Sequence, residues 1–363
     1  MDLTSLSLEQ KVGQLFFIGI PGPEIDGPTL SILKDISPGG VCLFARNIKA
    51  REQTRNLNDQ LRSTLSVAPL LSVDEEGGLV DRLRRIMTPL PAAGLMRSEE
   101  DAAVLGQIVG RALSLLGFNM DFAPVVDVVT AERGQQSNGL YDRPFGASVD
   151  DVVRRAGAFN TAIRSSGIFS CIKHFPGYGA TKVDSHEELP VVDITEDEFQ
   201  NIDLAPYRHL LPYADSVMVA HSTYPNVALQ EHDQGGGMLP SSLSRNFVTK
   251  LLREELGFDG LVVTDDLEMG AVIKNYGIGD ACVMAVQAGC DMLAICADQQ
   301  RIRDGHQAVL AAAQGGNIPV SQIDASVARI ASLKEKISSP PAFDNAALDD
   351  LCRETTALVE RLS

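Results

Sequence analysis

The chain of 363 residues contains no tryptophan, and aromatic residues make up only 5% of it. Broad aromatic platforms are therefore scarce, which favours a small polar pocket over a long cleft. Basic residues are also few: 31 Lys and Arg against 48 Asp and Glu leave a formal charge of -17 and a pI near 4.7. That balance argues against nucleic acid or an anionic membrane surface as partner. The acidic residues are spread along the chain, so they serve solubility rather than forming a tail. No run of eighteen apolar residues occurs, and no membrane span is expected. The opening MDLTSLSLEQKVGQLF has neither a basic nor an apolar leader region, so a cytoplasmic protein is expected. None of the six cysteines (42, 171, 282, 290, 296 and 352) forms a CxxC pair. A structural zinc site is thus not expected, and the thiols read as buried and free in a reducing compartment.

What the chain does have is apolar content, 44%, enough for a sizeable core. Apolar, strand-like runs recur at 13–20, 40–44, 70–73, 118–123, 168–172, 216–220, 260–264 and 292–295. Helical patterns lie between them, at 29–36, 51–65, 99–116, 150–165, 196–211, 244–256, 279–288 and 299–313. Apolar strands alternating with helices eight times predict an α/β fold with a parallel sheet, closed as a (β/α)8 TIM barrel. An open doubly wound sheet is the alternative, but no GxGxxG turn follows an early strand. Gly117, Gly167, Gly257 and Gly289 sit where helices should end and strands begin, in short connections. The strand-to-helix connections are long. Short turns at one end and long loops at the other place a site at the C-terminal strand ends. Helices at 321–334 and 346–362 are separated by Ser339-Pro340-Pro341. A single barrel domain over 1–335 is expected, with 336–363 as a helical extension packed on it.

The long loops are rich in proton-moving groups. Lys173 and His174 end the fifth strand, with Asp184 and His186 about a dozen residues on. Asp74-Glu75-Glu76 follows the third strand, and Asp127, Asp142 and Arg143 the fourth. His221 follows the sixth, and Asp265-Asp266 and Glu268 the seventh. In an Asp-x-His pair the carboxylate can orient the imidazole and stabilise its charged form. Three chemistries could use this set. Glycoside hydrolysis needs a carboxylate nucleophile and an acid/base. Metal-assisted hydrolysis could draw ligands from His174, His186, His221 and Asp265. Schiff-base chemistry would use Lys173.

The segment KHFPGYGATKVDSH, 173–186, resembles a fingerprint of family 3 glycoside hydrolases, K-H-F-P-G-[HY]-G-x4-D-[ST]-H, at every fixed position. The similarity extends to EQKVGQL at 9–15, GVCLFARNI at 40–48, DEEGGLV at 74–80, FNMDFAPVVDV at 118–128, RPFG at 143–146, AHSTYP at 220–225 and GFDGLVVTDDLEM at 257–269. It spans about residues 7–335 and points to the single-barrel bacterial β-N-acetylglucosaminidases. That resemblance implies Asp265 as nucleophile, and His186, polarised by Asp184, as acid/base. It implies Asp74, Arg143, Lys173 and His174 as binders of sugar hydroxyls. It further implies a retaining double displacement without cofactor or metal. The substrate would be a small carbohydrate, a terminal β-linked GlcNAc on a peptidoglycan fragment such as GlcNAc-anhydroMurNAc. A phosphorylase of the same family and a metal-dependent barrel hydrolase are the alternatives. A monomer or weak dimer is expected. Glu75 and Leu79 depart from the family pattern, which has Gln and Arg there.

Overall fold

The computed structural model describes residues 5–135, 140–181 and 189–363. Eight parallel strands close into a barrel in sequence order. They are β1 (Phe16–Gly19), β2 (Gly40–Leu43), β3 (Leu70–Val73), β4 (Met120–Asp121), β5 (Phe169–Phe175), β6 (Ser216–Val219), β7 (Leu261–Asp266) and β8 (Met292–Ile295). Closure runs through Phe17, which is in register with Gly40 on one side and Ala294 on the other. The sheet is thus the (β/α)8 barrel that the alternation of patterns predicts, and an open sheet is ruled out.

The first turns of the chain differ from the sequence expectation. Residues 13 and 14 belong to helix α1 (Leu8–Gln14), because a Ser7–Gln10 capping box starts a helix ahead of the strand. The outer helices that follow are α2 (Gly27–Ile36), α3 (Arg51–Thr64), α4 (Glu99–Leu115) and α5 (Val149–Ser165). The crossover from β5 to β6 is broken. Short helices α6 (Glu196–Glu198) and α7 (Ala205–Leu210) flank a π-helical stretch, Phe199–Asp203. A second π-helix, Asn246–Glu255, precedes β7. Beyond it lie α8 (Gly270–Ile273), α9 (Ile278–Ala288), α10 (Gln299–Gln314), α11 (Val320–Lys334) and α12 (Asn345–Leu362). All four glycines expected to end helices have positive φ, from 69° at Gly257 to 112° at Gly289.

Helix α12 turns Leu348, Leu351, Leu358 and Leu362 inward, and all four are buried. Arg361 and Arg111 tie it to Asp101 and α4 at 2.7 and 2.9 Å. Among the described residues no helix is long and apolar enough to cross a membrane.

Two irregularities decide what the barrel mouth presents. The β5–β6 register shifts between Ile172 and Phe175, and the β7–β8 register between Val263 and Asp266. Each shift brackets a candidate site segment, Lys173-His174 in one case and Asp265 in the other. A break in the alternation re-aims the side chains beside it.

Candidate active site

At the C-terminal ends of the strands lies a cup of about 170 Å³. It is smaller than the ~300–1,000 Å³ of drug-sized sites. Asp74, Arg143, Lys173, His174 and Asp265 all line it, so five of the seven sequence-predicted site residues converge. The other two, Asp184 and His186, lie outside the described residues. Phe44, Phe122, Met218 and Met269 supply apolar lining.

Part of the lining is an ion lattice. Lys173 Nζ donates to Asp74 Oδ1 at 2.7 Å and pairs with Glu76 Oε1 at 2.6 Å. Arg143 holds Glu76 in a fork, 2.7 Å from Nε and 3.0 Å from Nη2. Burial would raise Glu76, but Arg143 and Lys173 hold its carboxyl far below the ordinary range. Burial alone would likewise lower Lys173. Asp74 and Glu76 override it and keep the ammonium well above its usual value. A lysine so firmly protonated offers no free lone pair, which weighs against Schiff-base chemistry.

His174 is fixed from both sides. Asp127, fully buried, accepts from its backbone N–H at 3.2 Å and lies 2.7 Å from Nδ1. The carboxylate demands the proton on Nδ1, so Nε2 is left to accept from Arg143 Nη2 at 3.4 Å. Tyr178 packs edge-on at 4.8 Å between ring centroids, and its N–H also donates to Asp127. The peptide bond between Lys173 and His174 is cis.

Asp265 ends β7 and accepts the N–H of Asp266 at 2.8 Å. Burial pushes it up, but His174, His221 and that N–H outweigh burial and hold it below the ordinary carboxyl value. Burial pushes its neighbour Asp266 up to about 7, with the charges of Glu268 and Asp265 adding to the rise. Two adjacent carboxyls are thus driven apart, one firmly ionised and one near its titration point.

Several polar residues from the same loops do structural work instead. His221 contacts Ser242 Oγ at 2.7 Å and the Asp266 carbonyl at 3.1 Å, which commits both ring nitrogens. Glu268 accepts from the N–H groups of Ala297 and Asp298 and ties two loops together. Asp142 is exposed and does not line the cup. Of the ligand set considered for metal-assisted hydrolysis, His174 has Nδ1 on Asp127 and His221 has both ring nitrogens engaged, while His186 lies outside the described residues. Among the described residues no three His, Cys, Asp or Glu side chains gather to hold a metal ion.

Sequence reasoning gives no specific role to Glu76, Tyr178 and Asp266, which also line the cup, and does not name the lining residue Arg82 at all. The missed signal for Arg82 is the glycine pair before it. Gly77 and Gly78 have φ of 81° and 58°, and Gly77 bridges Val80 in a tight antiparallel turn. Only glycine adopts these angles readily, and the turn brings the chain back to the cup.

A closed barrel with an ionised carboxylate, a second carboxyl and a lattice of charged hydrogen-bonding groups at the C-terminal mouth defines a barrel enzyme for small polar substrates. Residues 7–333 match the family described as "Glycosyl hydrolase family 3 N terminal domain". The chain belongs to glycoside hydrolase family 3 and is a glycoside hydrolase. A β-hexosaminidase of Tolumonas auensis is 33% identical over 77% of this chain and 81% of its own. One of Pseudomonas aeruginosa is 34% identical over 78% and 82%. Among solved structures, a family 3 β-N-acetylglucosaminidase from Paenibacillus superposes with a TM-score of 0.87 at 33% identity. That match covers 98% of this chain and 69% of the other. A β-N-acetylhexosaminidase from Beutenbergia cavernae gives 0.81 at 29% identity, covering 91% and 99%.

Proposed function

We propose that the protein is a retaining exo-β-N-acetylhexosaminidase that removes a terminal β-linked GlcNAc from small peptidoglycan fragments. The observation that carries this reading is the cup itself: it is small, and it gathers an ionised Asp265 and the Asp74–Lys173–Glu76–Arg143 lattice into one lining. Asp265 attacks the anomeric carbon while His186 protonates the departing oxygen, which forms a glycosyl ester on Asp265. His186 then takes a proton from water. The water attacks the same carbon and releases Asp265 with the original configuration. Asp184 stabilises the imidazolium form of His186. Asp74, Arg143, Lys173 and His174 read the sugar hydroxyls. The β-hexosaminidase names of the relatives support a hexosamine, and the Paenibacillus β-N-acetylglucosaminidase structure supports its N-acetyl group. The assignment of Asp184 and His186 rests on the 173–186 motif.

The catalytic unit is the barrel through residue 335, and 336–363 is a supporting tail. The protein acts in the cytoplasm as a monomer or weak dimer. Six free thiols, five of them buried, support a reducing compartment. The test is an aryl β-GlcNAc assay beside aryl β-glucoside, with and without phosphate. Preferential release from the GlcNAc substrate at a phosphate-independent rate is expected. Phosphate-dependent release yielding a sugar phosphate would make the enzyme a phosphorylase. No release from GlcNAc would overturn the reading.

A further inference from the structure

The loop that follows β3 is built on buried carboxyl groups that form no close ion pair with a cation among the described residues. Glu75 and Asp121 are fully buried and Asp81 is 3% exposed, yet among the described residues none of the three forms an ion pair. Glu75 Oε2 accepts the N–H groups of Arg82 and Leu83 at 2.9 and 3.0 Å. Asp81 Oδ2 accepts that of Leu90 at 2.9 Å, and Asp121 Oδ1 that of Glu75 at 2.9 Å. The loop is therefore stitched across its width by carboxyl oxygens. On each of the three residues the other oxygen is buried and meets no donor: Glu75 Oε1, Asp81 Oδ1 and Asp121 Oδ2.

The Glu75 carboxyl sits on the Arg82 N–H, one residue along the chain from Asp81, and each of the two acids keeps one buried oxygen without a donor among the described residues. Two carboxyl groups can share a hydrogen bond only if one of them carries a proton. Buried like charges in contact do not both ionise. We propose that Glu75 is a positioning residue held as an uncharged carboxylic acid, whose O–H donates to Asp81 and so fixes the loop that presents Asp74, Glu76 and Arg82 to the cup.

The surroundings select Glu75 as the proton's host. Burial, then Asp81 and Asp121, push it well above the ordinary carboxyl range. Asp81 is also raised by burial, but the Leu90 N–H, Arg84 and Glu75 itself stabilise its charge. Around Asp121, which burial raises too, lie Lys173, Asp74 and Glu76, and only Lys173 among them is cationic. A glutamine at position 75 would satisfy the same contacts with an N–H in place of the acid O–H. The glutamate adds a proton that the folded protein must keep.

This inference rests on the reading of the cup as the active site, and its test separates the two. Below the ordinary carboxyl range, folded and unfolded chains both hold the proton and stability is full. As pH rises, the unfolded chain releases it and the folded chain does not, so stability is lost until the folded-state pKa is reached. Urea unfolding of the full chain and of Glu75→Gln, from about pH 5 to about pH 8, reads this directly. The ratio of unfolding constants, native over variant, should climb by up to about tenfold per pH unit. Asp81→Asn should give the same climb, because Asn can donate to an ionised Glu75. A ratio flat with pH for both variants overturns the shared proton.

Positioning is read by kinetics on an aryl β-GlcNAc. Glu75→Ala frees the Arg82 and Leu83 N–H groups and should raise KM, while Glu75→Gln restores it and extends activity to higher pH. Equal KM for the native, Ala and Gln forms overturns the positioning role. A native enzyme inactive at every pH overturns the proposed function instead, and the unfolding comparison alone then decides the proton bridge.

Discussion

Glu76 is the keystone of the cup, and Glu76→Gln is the perturbation that exposes it. Its carboxylate faces two cations, Lys173 Nζ at 2.6 Å and Arg143 Nε at 2.7 Å, with only 2% of the side chain exposed. The substitution keeps the shape but removes the carboxylate that, among the described residues, both cations share. Lys173 keeps Asp74, whereas Arg143 loses both arms of its fork on Glu76 and keeps its contact with the imidazole of His174. Breaking a buried ion pair from one side costs about 3–5 kcal/mol. The cup opens to water, so the lower end, about 3 kcal/mol, is the expected loss. An unfolding entropy of ~2.1 cal/mol/K per residue gives about 0.76 kcal/mol/K for 363 residues, and hence a Tm lower by about 4 °C. The effect has a definite pH window. Glu76 is held below the ordinary value, so its contribution is present above the ordinary carboxyl range and is lost as pH falls. Differential scanning calorimetry at neutral pH and again near ~4, where the gap should narrow, is the assay. A Tm change below about 1 °C at neutral pH would show that the lattice stabilises nothing, since even ~1 kcal/mol would be visible.

Other outcomes follow from the same structure. His186→Ala should slow turnover of an alkyl-linked disaccharide by roughly 10²–10⁴-fold while sparing the first step on nitrophenyl substrates, whose leaving group needs little protonation. Asp184→Ala should show the same pattern more weakly, and equal losses on both substrate types would remove His186 from the acid/base role. At the opposite end of the barrel, Asp291 accepts from the Val262 N–H, Ser326 and Arg329 at 2.9–3.0 Å and also pairs with Arg253. Asp291→Ala should cost about 3–5 kcal/mol in urea unfolding and leave KM unchanged, since that face serves stability rather than chemistry.

The barrel was legible because each strand is an apolar run and each helix has a 3.6-residue stripe, and eight repeats of that alternation leave few other closures. The π-helices at Phe199–Asp203 and Asn246–Glu255 were not legible, since a widened turn leaves the apolar pattern almost unchanged. Within the site, the position of a residue just after a strand was readable, but its direction was not. Asp265, Asp266 and Glu268 stand within four residues. Only a register shift decides that Asp265 and Asp266 line the cup while Glu268 accepts from the next loop. Arg82 was hidden for the same reason, because its approach depends on the left-handed pair Gly77-Gly78. Lys173, His174 and Asp74 were readable because they stand at or just past the C-terminal ends of their strands.

The central claim is that the carboxylate of Asp265 attacks the sugar. Incubation with a 5-fluoro-GlcNAc donor bearing a good leaving group, followed by proteolysis and mass spectrometry, tests it in one measurement. The account predicts a single glycosylated peptide with the label on Asp265. A label on Asp266 or Glu268, or full turnover by Asp265→Asn, would contradict it.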